Sequence, residues 1–288
     1  MNSVGLPGGR SLDLSGAPLI MAIINCNDDS FFAGSRVRGE AAADRALRFL
    51  DEGAHIIDFG AESSRPGADY IPAEEEIRRL APVIASFRKR SDAPVSVDTR
   101  KAETGKAVLD AGADIINDIS ALEDDPSLAA LCAKQQAAVV LMHKKGTPRT
   151  MQAAPRYDNL VVEVREYLAG AAEKALAAGI SGDRVILDPG IGFGKSPHDN
   201  CVLIAHLEEI RRSDYPVLVG LSRKSFIGAL TGRSVEERLW GTLAAGAAAL
   251  FYGAGILRVH DVRETADLIA VWKAIAGSKT EGGEYAMG

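Results

Sequence analysis

Eight short β-branched apolar runs, separated by longer helical stretches, predict an α/β fold: a single (β/α)8 TIM barrel. The runs are continuously apolar rather than alternating, as strands covered on both faces must be. Several helical stretches stop at a glycine just before the next run, at Gly53, Gly112 and Gly179. The 288-residue length fits one such domain, because α/β barrels run to roughly 200–250 residues in one piece. An open doubly wound sheet would share the alternation but has no reason to close at eight.

In order, the predicted strands are 18–25 (PLIMAIIN), 55–60, 94–98, 114–118, 137–143, 184–188, 216–221 and 255–260. Helical stretches fall between them at 40–53, 73–90, 101–112, 158–179, 199–213 and 235–253. Glu74, Glu75 and Glu76 read as the charged first turn of a helix. The barrel is expected over 18–276, after an N-terminal extension, 1–17, whose first dozen residues are loosely held. A flexible tail, 277–288, follows.

The net charge of −6 argues against a nucleic-acid partner, which needs a basic face. No apolar run reaches the roughly 18 residues of a membrane span, so no membrane partner is expected either. The start, MNSVGLPGGRSLDLSG, lacks the apolar core of a signal peptide. Cys26, Cys132 and Cys201 are far apart and form no CxxC pair, which suits a reducing cytoplasm.

Barrel active sites sit at the C-terminal strand ends. Here those ends are Asn25, Asp58, Asp98, Asn117, His143, Asp188, Ser222–Lys224 and His260. One polar strand end is an ordinary turn, whereas eight on one face form a pocket. Asp58, Asp98, Asp188 and Asn117 suit an NH-rich heterocycle, and Arg65, Lys224, Arg258 and His260 suit a phosphate. Two local motifs fail. DPGIGFGKS (188–196) carries Pro189 where a P-loop needs its first glycine, and DFG (58–60) has no accompanying HRD loop.

Nine ordered blocks carry a resemblance: IIN…DSF (23–31), DFGAESSRPGA (58–68), SVDTRKAE (96–103), INDIS (116–120), LMHKKGTPRTMQ (141–152), LDPGIGFGK (187–195), GLSRKSFIG (220–228), GTLAAGAAA (241–249) and RVHDVRET (258–265). From about residue 18 to 275 the chain closely resembles the dihydropteroate synthases. The resemblance implies joining 7,8-dihydropterin-6-ylmethyl diphosphate to para-aminobenzoate, with diphosphate released, for folate synthesis. It implies that Asp98, Asn117, Asp188 and Lys224 hold the pterin and that Arg258 flanks its ring. It places the diphosphate on Asn25, Ser64, Arg65, Arg258 and His260, with Mg2+ on Asn25. It places para-aminobenzoate among Phe31, Pro66, Phe193 and Ser225. Asp98, Lys224, Arg65 and His260 are the implied catalytic groups, and a homodimer through the later helices is implied as well.

The first loop departs from the family pattern. The usual Thr-Pro pair is Asn27-Asp28, which removes a φ constraint and adds a carboxylate where an anionic aminobenzoate is enclosed. Sulfonamides, which copy para-aminobenzoate, are therefore expected to bind less tightly. Arg100 stands where Tyr is common, and Lys144-Lys145 replace a Met-Gln-like pair. The alternatives are a pterin-binding methyltransferase acting on a corrinoid, and a non-catalytic pterin-binding paralogue.

Overall fold

The structure is a computed structural model that describes residues 2–26, 35–62, 71–146, 155–211 and 214–278, with backbone alone for 35–39. Each predicted run forms a strand. In order they are β3 (Leu19–Asn25), β4 (Ile56–Gly60), β5 (Val95–Asp98), β6 (Ile115–Asp118), β7 (Ala138–Met142), β8 (Val185–Asp188), β9 (Leu218–Gly220) and β10 (Ile256–Val259). They pair in parallel in the order β8-β7-β6-β5-β4-β3-β10-β9. A parallel bridge from Leu187 to Val217, with Leu187 N–H donating to Pro216 O at 2.9 Å, brings the two ends of the sheet together. The outer layer is α1 (Ser35–Asp51), α2 (Ala73–Arg88), α3 (Ala102–Asp110), α4 (Ser127–Gln135), α5 (Leu160–Ala177), α6 (Pro197–Ala205), α7 (Leu207–Arg211), α8 (Ser225–Thr231), α9 (Leu239–Phe251) and α10 (Val262–Gly277).

Side chains alternate across each strand, so every second residue enters the barrel. The interior is stacked in layers drawn from alternate strands. One layer is four isoleucines, Ile56, Ile115, Ile186 and Ile256, from β4, β6, β8 and β10. Above it the other four strands supply Met21, Ser96, Val140 and Leu218. Two residues beyond the isoleucines, the first set of strands presents Asp58, Asn117, Asp188 and Arg258. The core is therefore apolar to mid-height and polar at the C-terminal mouth.

The N-terminal residues, expected to be loosely held, close the opposite end. β1 (Ser3–Gly5) and β2 (Ser11–Asp13) form an antiparallel hairpin. Val4, Leu6 and Leu12 are buried in one cluster with Leu19, Met21 and the isoleucine layer. Arg10 and Arg88 both pair with the buried Asp114, whose Oδ2 also accepts from Val95 N–H at 2.9 Å. Three alternating apolar residues are too few to read as an element in the sequence, yet they are enough to cap a barrel.

The three glutamates do form the charged first turn of α2. Glu76 is the buried member: it is 1% exposed and accepts from Thr104 Oγ1 at 2.8 Å, with Lys101 Nζ at 3.0 Å. Glu75 pairs with Arg79 in the same helix at 2.6 Å.

Candidate active site

The mouth of the barrel is organised by a buried ion cluster. Arg258, from β10, reaches across it, with Nη2 2.6 Å from Asp58 Oδ2 and 3.0 Å from Asp98 Oδ2, while its Nε donates to Asp58 at 2.7 Å. Asn117 Nδ2 donates to the same Asp58 oxygen at 3.4 Å. One amide N–H is thus directed at Asp58, and this fixes the amide oxygen on the other side as an acceptor for a ligand N–H. Asp58 and Asp98 come from adjoining strands and share one guanidinium. Burial pushes the Asp98 carboxyl up to about 7, Arg258 opposes the shift, and Asp58 adds to it.

Asp188 ends β8, and its Oδ1 accepts from Gly190 N–H at 2.7 Å. Burial raises its pKa, with Lys224 the main opposing influence. Lys224 caps α8, and its ammonium donates to Ile191 O and lies 4.7 Å from the centre of the Phe193 ring. Burial lowers it to about 8, against the pull of Asp188. An ammonium has three donors, so two remain for a ligand.

Lys224 is held by the residue before it. Arg223 adopts a left-handed backbone, φ 57°, a strained conformation for a non-glycine residue. Its guanidinium grips Asp261 bidentately at 2.9 and 2.7 Å and donates to the Val235 and Glu236 carbonyls. That grip ties the loop after β9 to the loop after β10. His260 Nδ1 adds a second tie, 3.0 Å from Ser222 Oγ.

The structure thus brings together Asp98, Asn117, Asp188, Lys224, Arg258 and Phe193. Asn25 ends β3 beside Gly60, His260 closes β10, and Ser225 begins α8 with its side chain exposed. Phe31, Ser64, Arg65 and Pro66 lie outside the described residues, as do Asn27 and Asp28. Among the described residues no cluster of His, Cys, Asp or Glu side chains is placed to hold a metal ion.

Asp58, read in the sequence as an acceptor for the heterocycle, instead anchors both Arg258 and Asn117. One side chain escaped the sequence-based site. Lys195 reads there as part of a failed P-loop, yet it is 2% exposed. It donates to the Gly190 and Phe193 carbonyls at 2.9 and 3.0 Å and lies 2.9 Å from His143 Nδ1. Burial lowers Lys195 to about 7, and burial with Lys195 nearby lowers His143 to about 3. His143 also packs edge-on against Tyr167, with ring centroids 5.0 Å apart, so this strand end is a packed histidine.

Fold and pocket together define a (β/α)8 enzyme whose site suits a flat, NH-rich heterocycle set among carboxylates and cations. Residues 21–260 match the pterin binding enzyme family. The dihydropteroate synthase of Haemophilus influenzae is 43% identical over 93% of this chain and 98% of its own. The dihydropteroate synthase of Xanthomonas albilineans, solved with 4-aminobenzoic acid, superposes with a TM-score of 0.87 at 44% identity, covering 95% of this chain and 98% of that one. That of Yersinia pestis, in a sulfonamide drug complex, gives a TM-score of 0.89 at 40% identity, covering 94% and 98%. The chain belongs to the pterin binding enzymes and, within them, to the dihydropteroate synthases.

Proposed function

We propose that this chain condenses 7,8-dihydropterin-6-ylmethyl diphosphate with para-aminobenzoate, giving 7,8-dihydropteroate and diphosphate in folate biosynthesis. The observation that carries the reading is the polar layer Asp58, Asn117, Asp188 and Arg258, with Lys224 beside it, set on an apolar barrel floor. It offers acceptors for ring N–H groups and donors for a ring carbonyl within one pocket.

The residue roles are those the family resemblance implies, and the pocket supports the pterin half of them. Asp98, Asn117, Asp188 and Lys224 hold the pterin, and Arg258 flanks it. Loss of diphosphate leaves a cationic methylene on the pterin, which the Asp98 carboxylate stabilises. His260, with Asn25, Ser64, Arg65 and Arg258, binds the diphosphate. Phe193 and Ser225, with Phe31 and Pro66, hold para-aminobenzoate; Phe31, Ser64, Arg65 and Pro66 are assigned on sequence alone. The amine attacks the methylene directly, so no protein nucleophile is needed.

Mg2+ fits as a partner of the diphosphate. Mg2+ keeps several waters and binds through few protein groups plus phosphate oxygens, and the Asn25 amide at the β3 end is one such group. When bound there it supplies positive charge to the leaving diphosphate.

We also infer a homodimer. Leu230, Trp240, Phe251, Val271 and Ile275, on α8, α9 and α10, are each more than 60% exposed, Trp240 reaching 77%. Large apolar side chains left exposed on three successive helices suit a subunit interface. Cytoplasmic placement is supported by the three unpaired cysteines. Among the described residues no helix is long and apolar enough to cross a membrane.

The test is diphosphate release from the pterin substrate with Mg2+, with and without para-aminobenzoate. Release that requires the aminobenzoate, with dihydropteroate formed, is expected. Pterin binding without release would overturn the synthase reading in favour of a non-catalytic pterin-binding protein.

A further inference from the structure

One member of the barrel interior breaks its pattern. In the layer beneath the polar ring, three strands supply Met21, Val140 and Leu218, and β5 supplies Ser96. Register sets Met21 beside Ile56 and Arg258, Val140 beside Asn117 and Ile186, and Ser96 between Asp58 and Ile115. Ser96 and Asp58 are both fully buried and, as register partners on adjoining strands, face the same side of the sheet.

Two oxygens there lack partners. Among the described residues, neither Ser96 Oγ nor Asp58 Oδ1 makes a hydrogen bond. Asp58 Oδ2, by contrast, takes Arg258 and Asn117 together. Buried polar atoms are nearly always satisfied, and an open carboxylate oxygen is among the costliest exceptions. Serine is also one or two heavy atoms smaller than the valine, leucine or methionine that fills the same layer on the other strands, a difference on the scale of one water molecule.

We propose that Asp58 Oδ1 and Ser96 Oγ form a buried hydration site for one ordered water beneath the pterin pocket. The water donates one O–H to Asp58 Oδ1 and hydrogen-bonds Ser96 Oγ. Asp58 then has partners on both oxygens and keeps a single orientation. Asp58 is a positioning residue: it orients the Arg258 guanidinium and the Asn117 amide, which touch the ligand. The site's effect on binding rests on the pterin reading above, and its existence does not.

Crystal structures of the unliganded protein and of its Ser96→Val and Ser96→Ala variants test this. The unsubstituted protein is expected to show a density peak about 2.7–3.0 Å from both oxygens. Ser96→Val, matching its counterpart on β7, should lose the peak. By calorimetry it should bind the pterin diphosphate about tenfold more weakly, with the KM for para-aminobenzoate unchanged. Ser96→Ala, which keeps the space and removes one partner, should show a smaller loss. No peak between the two oxygens, a direct bond from one to the other, or unchanged pterin affinity in Ser96→Val would each overturn the proposal. The peak is read without pterin, so its failure is distinct from failure of the synthase reading, which dihydropteroate formation reports.

Discussion

At the scale of single residues, Asp98 and Lys224 give the pocket its proton chemistry. Asp98 is raised to about 7, so it is protonated at acid pH and gains its charge as pH rises through neutrality. Lys224 is lowered to about 8 and loses its charge above that. The kcat/KM for the pterin substrate should therefore rise through about pH 7 and fall above about pH 8. Asp98→Asn should lose the acid limb and about 100-fold or more in kcat, read from an initial-rate pH profile. The stability effect runs the other way. A carboxyl raised in the folded state binds its proton more tightly there than in the unfolded chain. Its contribution to stability is complete below about pH 4 and is lost as pH rises through about 7. Thermal melts against pH should show that loss in the unsubstituted protein and not in Asp98→Asn.

At the scale of elements, the β8–α6 connection is a backbone bowl cast around Lys195. Gly190 has φ 67°, and a Cβ there would sit 1.8 Å from His143 O; Gly194 has φ 65°, and its Cβ would sit 2.3 Å from Lys145 O. Only glycine lets the chain approach β7 so closely, and this approach points the Gly190 and Phe193 carbonyls at one ammonium. Lys195→Met keeps the aliphatic stem and removes the donors. It should destabilise the protein by about 2–4 kcal/mol and raise the KM for para-aminobenzoate more than it weakens pterin binding. Equal losses in both would mean that the ammonium supports the barrel and not the Phe193 loop. The loop after β3 carries a second prediction at this scale. Replacing Asn27→Thr with Asp28→Pro removes a carboxylate from the stretch that the resemblance assigns to the aminobenzoate and adds the φ constraint of proline. Sulfonamide binding should then tighten by about fivefold, roughly 1 kcal/mol; an unchanged inhibition constant would show that these two residues do not set it.

At the scale of the whole molecule, the barrel has a chemical end and two apolar obligations. The hairpin β1–β2 meets the first, at the opposite end, by burying Val4, Leu6 and Leu12. The second is the set of exposed apolar side chains on α8, α9 and α10, of which Trp240 is the most open. Trp240→Glu, paired with Phe251→Glu if one charge is insufficient, should convert a dimer to a monomer in sedimentation velocity with pterin binding retained. A monomer already present in the unsubstituted protein at micromolar concentration would remove the homodimer.

Much of this protein is legible in the sequence alone. A parallel barrel makes each strand a continuous apolar run and gathers the strands' C-terminal residues on one rim, so Asp58, Asp98, Asn117, Asp188, Lys224 and His260 can be read off in order. Those residues suggest an NH-rich ring and an anion, and the resemblance carried by the nine ordered blocks supplies the chemical class. Inter-strand register is invisible to that reading, and register is what the tertiary structure decided. It set Asp58 against Ser96, put Arg258 between two carboxylates and gave Glu76 of the first turn of α2 its buried partners. Lys195 stayed hidden for the same reason, since its partners come from the folded course of its own loop and from a strand 52 residues away. Local pattern fixes which residues reach the rim, while long-range packing decides which of them touch.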